Sequence, residues 1–219
     1  MKLSTDAVIL GALAQAEIPD SMLDVGTGTG ILALMLAQRY RHAVIDAVEL
    51  DPEAARQAGE NCAASPFANR IRVHHRDFSE FAIDSQQEFD LILSNPPFYA
   101  GQLKSGRTTI DLARHELGLD FDGLWNGIQT LLKKQGVFWL ILPPVEMDRF
   151  RSIGSSRGYT QVKRIQIYDK PDAKAHREVA AFARKEEAAL QESMLVLKNA
   201  SGSYTSEYRE LLRGFMLHF

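Results

Sequence analysis

The 219-residue sequence predicts an α/β protein: a mostly parallel sheet with helices on both faces. Three observations predict it. Strand-like and helix-like segments alternate through residues 1–142. The strand-like segments are short and nearly all apolar, as strands covered on both faces are. A glycine-rich turn follows the first of them, where an open parallel sheet receives ligands.

The elements can be justified in order. Ser4 or Thr5 can cap a first helix whose apolar positions are Val8, Leu10, Ala12 and Leu13. Residues 22–25 read as a buried strand ended by glycines, and residues 31–37 carry strong helix formers. A second strand spans 43–50, and Pro52 suits the first turn of the next helix. Strands follow at 71–74 and 89–93, the latter running straight into Asn95-Pro96-Pro97. A helix over 119–133 precedes a strand at 136–142, stopped by two prolines. Beyond residue 143 come a helix near 145–157 and strands at 162–168, 178–184 and 194–198, expected as an antiparallel extension of the same sheet. A last amphipathic helix begins near Ser206 and runs to the end of the chain.

Composition narrows the class. Hydrophobic residues make up 45% and charged residues 24%, ordinary for a globular protein, so fibrous and disordered classes are excluded. The lone Cys62 excludes an intramolecular disulfide and fits a reducing, cytoplasmic setting; beside Ala63 and Ala64 it reads as a small packed residue. No apolar run approaches the roughly 20 residues of a membrane span. The six histidines form no ligand pattern, so no metal is expected; His74 and His75 point to opposite faces of a strand. Trp125 and Trp139 read as core. The net charge of −3 argues at first against nucleic acid.

Chemistry concentrates in two loops. In Asp24-Val25-Gly26-Thr27-Gly28-Thr29-Gly30, glycines let the backbone turn tightly and approach a ligand. The pattern lacks the G-x-G-x-x-G spacing of dinucleotide folds, which disfavours a nicotinamide oxidoreductase, and the acid before it suits a cationic group better than a pyrophosphate. S-adenosyl-L-methionine, with an ammonium, a sulfonium and no phosphate, fits; a plain strand–helix turn is the alternative. Glu49 ends the second strand where a carboxylate can accept bonds from ribose hydroxyls, and Asp77 follows the third, within reach of an adenine amino group.

The second loop is Ser94-Asn95-Pro96-Pro97-Phe98-Tyr99. Two prolines fix the backbone, which suits acceptors that must be placed before the substrate arrives. The Asn95 side-chain oxygen and the Pro96 carbonyl can each accept one hydrogen of a planar amino group while Phe98 stacks on its ring. Those contacts favour a more tetrahedral nitrogen and so its attack on a methyl group. Asn95, Pro96, Pro97 and Phe98 are therefore the candidate catalytic residues.

Together, residues 24–30, Glu49, Asp77 and Asn95-Pro96-Pro97-Phe98 resemble the class I S-adenosylmethionine-dependent amino-methyltransferases. More of the chain is similar to one subfamily, the bacterial tRNA1(Val) adenine-37 N6-methyltransferases: residues 1–6, 24–39, 45–50, 95–99, 113–115 and the ending from Tyr204 through Phe215. The resemblance implies a single Rossmann-like domain over 1–219, with a mostly parallel seven-stranded sheet and an antiparallel C-terminal hairpin. Residues 1–142 would form the cofactor and catalytic core and 143–219 the extension. It further implies that Thr5 and Asp6 cover the cofactor, alongside Asp24, Gly26, Thr27, Gly28, Gly30, Glu49, Asp77 and Asn95. Phe98, Tyr99, Arg114 and His115 would meet the substrate, a tRNA. A guanine N2 or protein-glutamine methyltransferase, or a subunit that binds without turnover, are the alternatives. Family members carry a further stretch before the segment matching Met1-Lys2; if it helps hold RNA, substrate binding depends on it.

Charge distribution bears on the RNA reading. Residues 149–185 contain ten Lys and Arg against three Asp and Glu, a local net of +7, which leaves −10 elsewhere. Such polarity makes a phosphate-facing surface beside an acidic cofactor region, with Tyr168 and His176 as stacking candidates; a solvated edge of the sheet is the alternative.

Overall fold

A computed structural model describes residues 4–96, 120–184 and 189–216. Its helices are α1 (Thr5–Leu13), α2 (Ile31–Arg39), α3 (Pro52–Ala63), α4 (Phe78–Asp84), α5 (Phe121–Leu131), α6 (Pro144–Ser156) and α7 (Ser206–Leu212). Its strands are β1 (Ser21–Val25), β2 (Val44–Glu49), β3 (Ile71–His75), β4 (Phe89–Ser94), β5 (Leu132–Leu142), β6 (Thr160–Tyr168), β7 (Arg177–Ala183) and β8 (Gln191–Val196). Most helices start where a short polar side chain can accept from the free first-turn amides. Ser4, Asp51, Asp77, Asp120 and Thr205 do this for α1, α3, α4, α5 and α7.

One sheet runs through all the strands in the order β3-β2-β1-β4-β5-β7-β6-β8. The first five are parallel, and β7 is antiparallel to both β5 and β6. The sheet therefore has eight strands where the family pattern implies seven. The eighth, β8, departs from the antiparallel extension expected for 162–198, because it pairs parallel with β6. β8 lies on the far side of β6 from β7 and runs opposite to β7, so it matches β6.

The boundary between α5 and β5 also differs from expectation. The helix ends at Leu131 and the strand begins at once, although residues 131–134 favour helix locally. Ladder pairing of Leu132 with Phe89, and a 2.8 Å ion pair from Lys133 Nζ to Asp90, hold these residues extended. The last helix stops at Leu212, before the end of the chain.

Two apolar layers flank the sheet. One packs α1, α2 and α7 on Trp139, Ile141 and Val179; the other packs α4, α5 and α6 on Phe138, Leu140 and Phe182. Both tryptophans are buried with their N–H satisfied, Trp125 donating to the Phe150 carbonyl and Trp139 to that of Gln15, each at 3.0 Å. Cys62 is likewise buried, under Gly30.

Candidate cofactor and amino-group site

The sheet order reverses direction at β1: β2 and β3 lie on one side of it, β4 and β5 on the other. Ligands of open α/β sheets bind beyond the carboxyl ends of the strands at such a switch point. Here Val25 is level with Val48 on one neighbour and Ser94 on the other, so three chain segments leave the sheet side by side. The buried Ser94 hydroxyl donates to the Val25 carbonyl at 3.0 Å, tying the exit of β4 to that of β1. The sequence reading missed this tie; a small hydroxyl residue ending an apolar strand was the available signal.

The glycine loop leaves β1 with left-handed backbone at Gly26 (φ 70°), Gly28 (φ 59°) and Gly30 (φ 84°). A Cβ on Gly26 would stand in open space, whereas one on Gly30 would press within 3.2 Å of the Cys62 sulfur. Gly30 thus seats α2 against α3, and Gly26 leaves backbone open to a ligand. The amides of Gly26 and Thr27 donate to the Val48 carbonyl at 2.9 and 3.1 Å.

Asp24 lies wholly beneath this loop. Its Oδ2 accepts from the Thr27 hydroxyl at 2.5 Å and the Ala33 amide at 3.2 Å, while Oδ1 has no partner among the described residues. Burial pushes its pKa up to about 7, against the pull of those two bonds. Glu49 is half-buried at the end of β2, with Oε2 accepting from the Gly28 amide at 2.7 Å and Oε1 from the Asp51 amide at 3.0 Å. It braces the loop, and each oxygen keeps a second lone pair for a ligand hydroxyl. Asp77 caps α4 through Oδ1, which accepts from Ser79 and Glu80; its Oδ2 accepts no bond among the described residues.

Asn95 is half-buried and Pro96 buried just past β4. Pro97, Phe98, Tyr99, Arg114 and His115 lie outside the described residues. Thr5 opens α1 and is exposed. Asp6, one residue on, accepts from Arg177 Nε at 2.7 Å, which fixes the first turn of α1 to the start of β7. The structure thus gathers Asp24, Gly26, Thr27, Gly28, Gly30 and Glu49 into one loop assembly. Asp77 and Asn95 stand at the ends of strands on either side of it, and Thr5 and Asp6 belong to α1.

The basic stretch behaves differently from its charge count. Arg149 pairs with Glu146, Arg151 with Asp148 and Glu178, Arg157 with Asp122, Arg164 with Glu178 and Glu192, and Arg177 with Asp6. Arg184 donates to the Tyr159 hydroxyl, and Lys163 lies 5.7 Å over Trp139. Lys170 and Lys174 are exposed with no salt bridge among the described residues. Linear counting misses acids that the fold brings from 6, 122 and 192.

Comparison with known proteins adds the family. Residues 5–119 match the model of the methyltransferase small domain. A tRNA1(Val) (adenine(37)-N6)-methyltransferase of Dyadobacter fermentans is 39% identical over the whole of this chain and 92% of its own length. Its counterpart from Serratia proteamaculans is 38% identical over the whole of this chain and 85% of its own length. Among solved structures, a predicted O-methyltransferase from Agrobacterium tumefaciens superposes with a TM-score of 0.73 over 96% of each chain at 20% identity. M. capricolum TrmK, solved with S-adenosyl-homocysteine, does so with a TM-score of 0.60 at 13% identity, over 86% of this chain and 72% of that one. These two likenesses concern the fold, a class I methyltransferase sheet. With the glycine loop, its acids and the Asn95-Pro96 exit held at one switch point, the chain belongs to the tRNA1(Val) (adenine(37)-N6)-methyltransferase family.

Proposed function

We propose that this protein transfers a methyl group from S-adenosyl-L-methionine to the N6 nitrogen of an adenine in tRNA, at position 37 of tRNA1(Val), in the cytoplasm. The observation that carries the reading is the junction of β1 and β4, where an open glycine loop lies beside the Asn95-Pro96 exit. The residues present fit the cofactor. Gly26 leaves open backbone, Asp24 has an uncommitted oxygen beneath it, and the Glu49 and Asp77 carboxylates stand at successive strand ends. When bound, the cofactor supplies a methyl group on a positively charged sulfur. Asn95 Oδ1 and the Pro96 carbonyl accept the two amino hydrogens and turn the nitrogen lone pair toward that methyl. The nitrogen then sheds one of those protons to water, so no strong base is required. Two acceptors fixed by proline cost little reorganisation as charge develops.

The test is transfer of methyl to unmodified tRNA1(Val) by the purified protein, with mass analysis of the product nucleosides. N6-methyladenosine is expected; its absence overturns the reading. Asn95→Ala should lower kcat by roughly a hundredfold, the cost of removing one preorganised polar group from a transition state. Unchanged turnover would show that the amino group is held elsewhere. Among the described residues no helix is long and apolar enough to cross a membrane.

A further inference from the structure

A groove of about 520 Å³ runs along the outer edge of the sheet, away from the glycine loop. Its walls are β3 and α4, and it is lined by Asp46, Arg72, His74, Arg76, Phe81 and Gln86. Asp46 and Arg72 are ladder neighbours on β2 and β3, and His74 follows two residues on, so all three share the face beneath α4. Arg76 of its lining directly precedes Asp77 in the chain.

Two features set the groove apart from an ordinary solvated edge. Asp46 is 4% exposed, and its Oδ2 has no partner among the described residues. Burying such a group costs free energy that packing alone would not require. Its Oδ1 lies 2.6 Å from His74 Nε2, and Phe81 stands against the imidazole at 5.1 Å. A carboxylate only accepts, so Nε2 carries the proton, and in the neutral ring Nδ1 is left as an acceptor. Free donors are the second feature. Asp84 is paired with Arg76 at 2.6 Å, and Asp46 accepts from His74. Arg72 is exposed, with no hydrogen bond or salt bridge among the described residues, so its guanidinium donors are open to a ligand.

We infer that this groove seats a ribose-phosphate of the substrate RNA outside the reacting nucleotide, with Arg72 on the phosphate and His74 Nδ1 accepting from the ribose 2′-hydroxyl. The acceptor matches a group that RNA has and DNA lacks, and the lone arginine matches the phosphate beside it. The inference rests on RNA being the substrate, and its test separates the two. Binding of a tRNA1(Val) transcript is measured by fluorescence anisotropy across a salt series for the wild type and Arg72→Glu, with cofactor affinity and thermal midpoint as controls. The variant should bind several-fold more weakly and its salt slope should fall by about one, with both controls unchanged. Equal RNA affinity and slope would overturn the inference. So would stabilisation of the wild type, but not the variant, by inorganic phosphate while RNA binding stays equal, since the ligand would then be a small phosphate. Whether the wild type methylates the transcript is read separately and bears on the catalytic reading alone.

Discussion

Asp24 illustrates at the scale of one residue what a sequence pattern conveys and what it hides. Its place before the glycines marks it as a site acid, but the pattern cannot say whether it touches solvent. The fold buries it under the loop, where Thr27 and Ala33 hold one oxygen. Glu49 and Asp77 are likewise bound to backbone amides, and such bonds depend on chain reversals that no spacing rule encodes. Asp24 also makes a pH prediction. Its folded pKa of about 7 lies above the ordinary 3.8 of an unfolded aspartate. A raised folded pKa stabilises most at pH below 3.8, and that contribution is lost progressively until pH passes 7. Comparison of wild type with Asp24→Asn by urea unfolding at pH 5, 6, 7 and 8 cancels the histidines. The wild-type stability should fall relative to the variant across that window and level off above it. A constant difference would mean the carboxylate is ionised in the fold throughout.

Elements were legible where local chemistry decides them. The Ser4 cap of α1, the proline opening α3 and the proline stop after β5 are all readable in linear order. The start of β5 and the direction of β8 were not, because each depends on which strand lies alongside. Close helix packing was also hidden. Gly154 of α6 lies against the Trp125 indole so tightly that a Cβ there would stand 2.3 Å from the ring, and a Cβ on Gly127 of α5 would stand 2.2 Å from Phe78. Trp125 has no room to yield, since it packs against Phe150 at 4.6 Å and Tyr159 at 4.8 Å. Gly154→Ala should therefore destabilise the protein by about 1–3 kcal/mol, the usual range for overpacking. Its gain in helix propensity is smaller. A thermal midpoint equal to or above that of the wild type would refute the contact.

For the whole molecule, the division into an acidic cofactor part and a basic remainder was visible in the sequence, yet the fold weaves the two together. Arg177 reaches Asp6, and Arg157 reaches Asp122. Glu178, whose side chain is 1% exposed, holds Arg151 at 2.8 Å and Arg164 at 2.9 Å. The β5–β7 ladder runs without a break from Phe138↔Phe182 to Leu142↔Glu178, so the segment after residue 143 continues the same sheet. Cooperative unfolding follows, and the two tryptophans can test it. Trp125 sits in the layer under α5 and α6, and Trp139 in the layer under α1 and α7. In Trp125→Phe the remaining fluorescence reports one layer; in Trp139→Phe it reports the other. Within each variant, the fluorescence and far-ultraviolet circular dichroism transitions in urea should share one midpoint, as a two-state domain requires. Midpoints that separate in either variant would show that the strands after β5 unfold apart from the parallel half of the sheet.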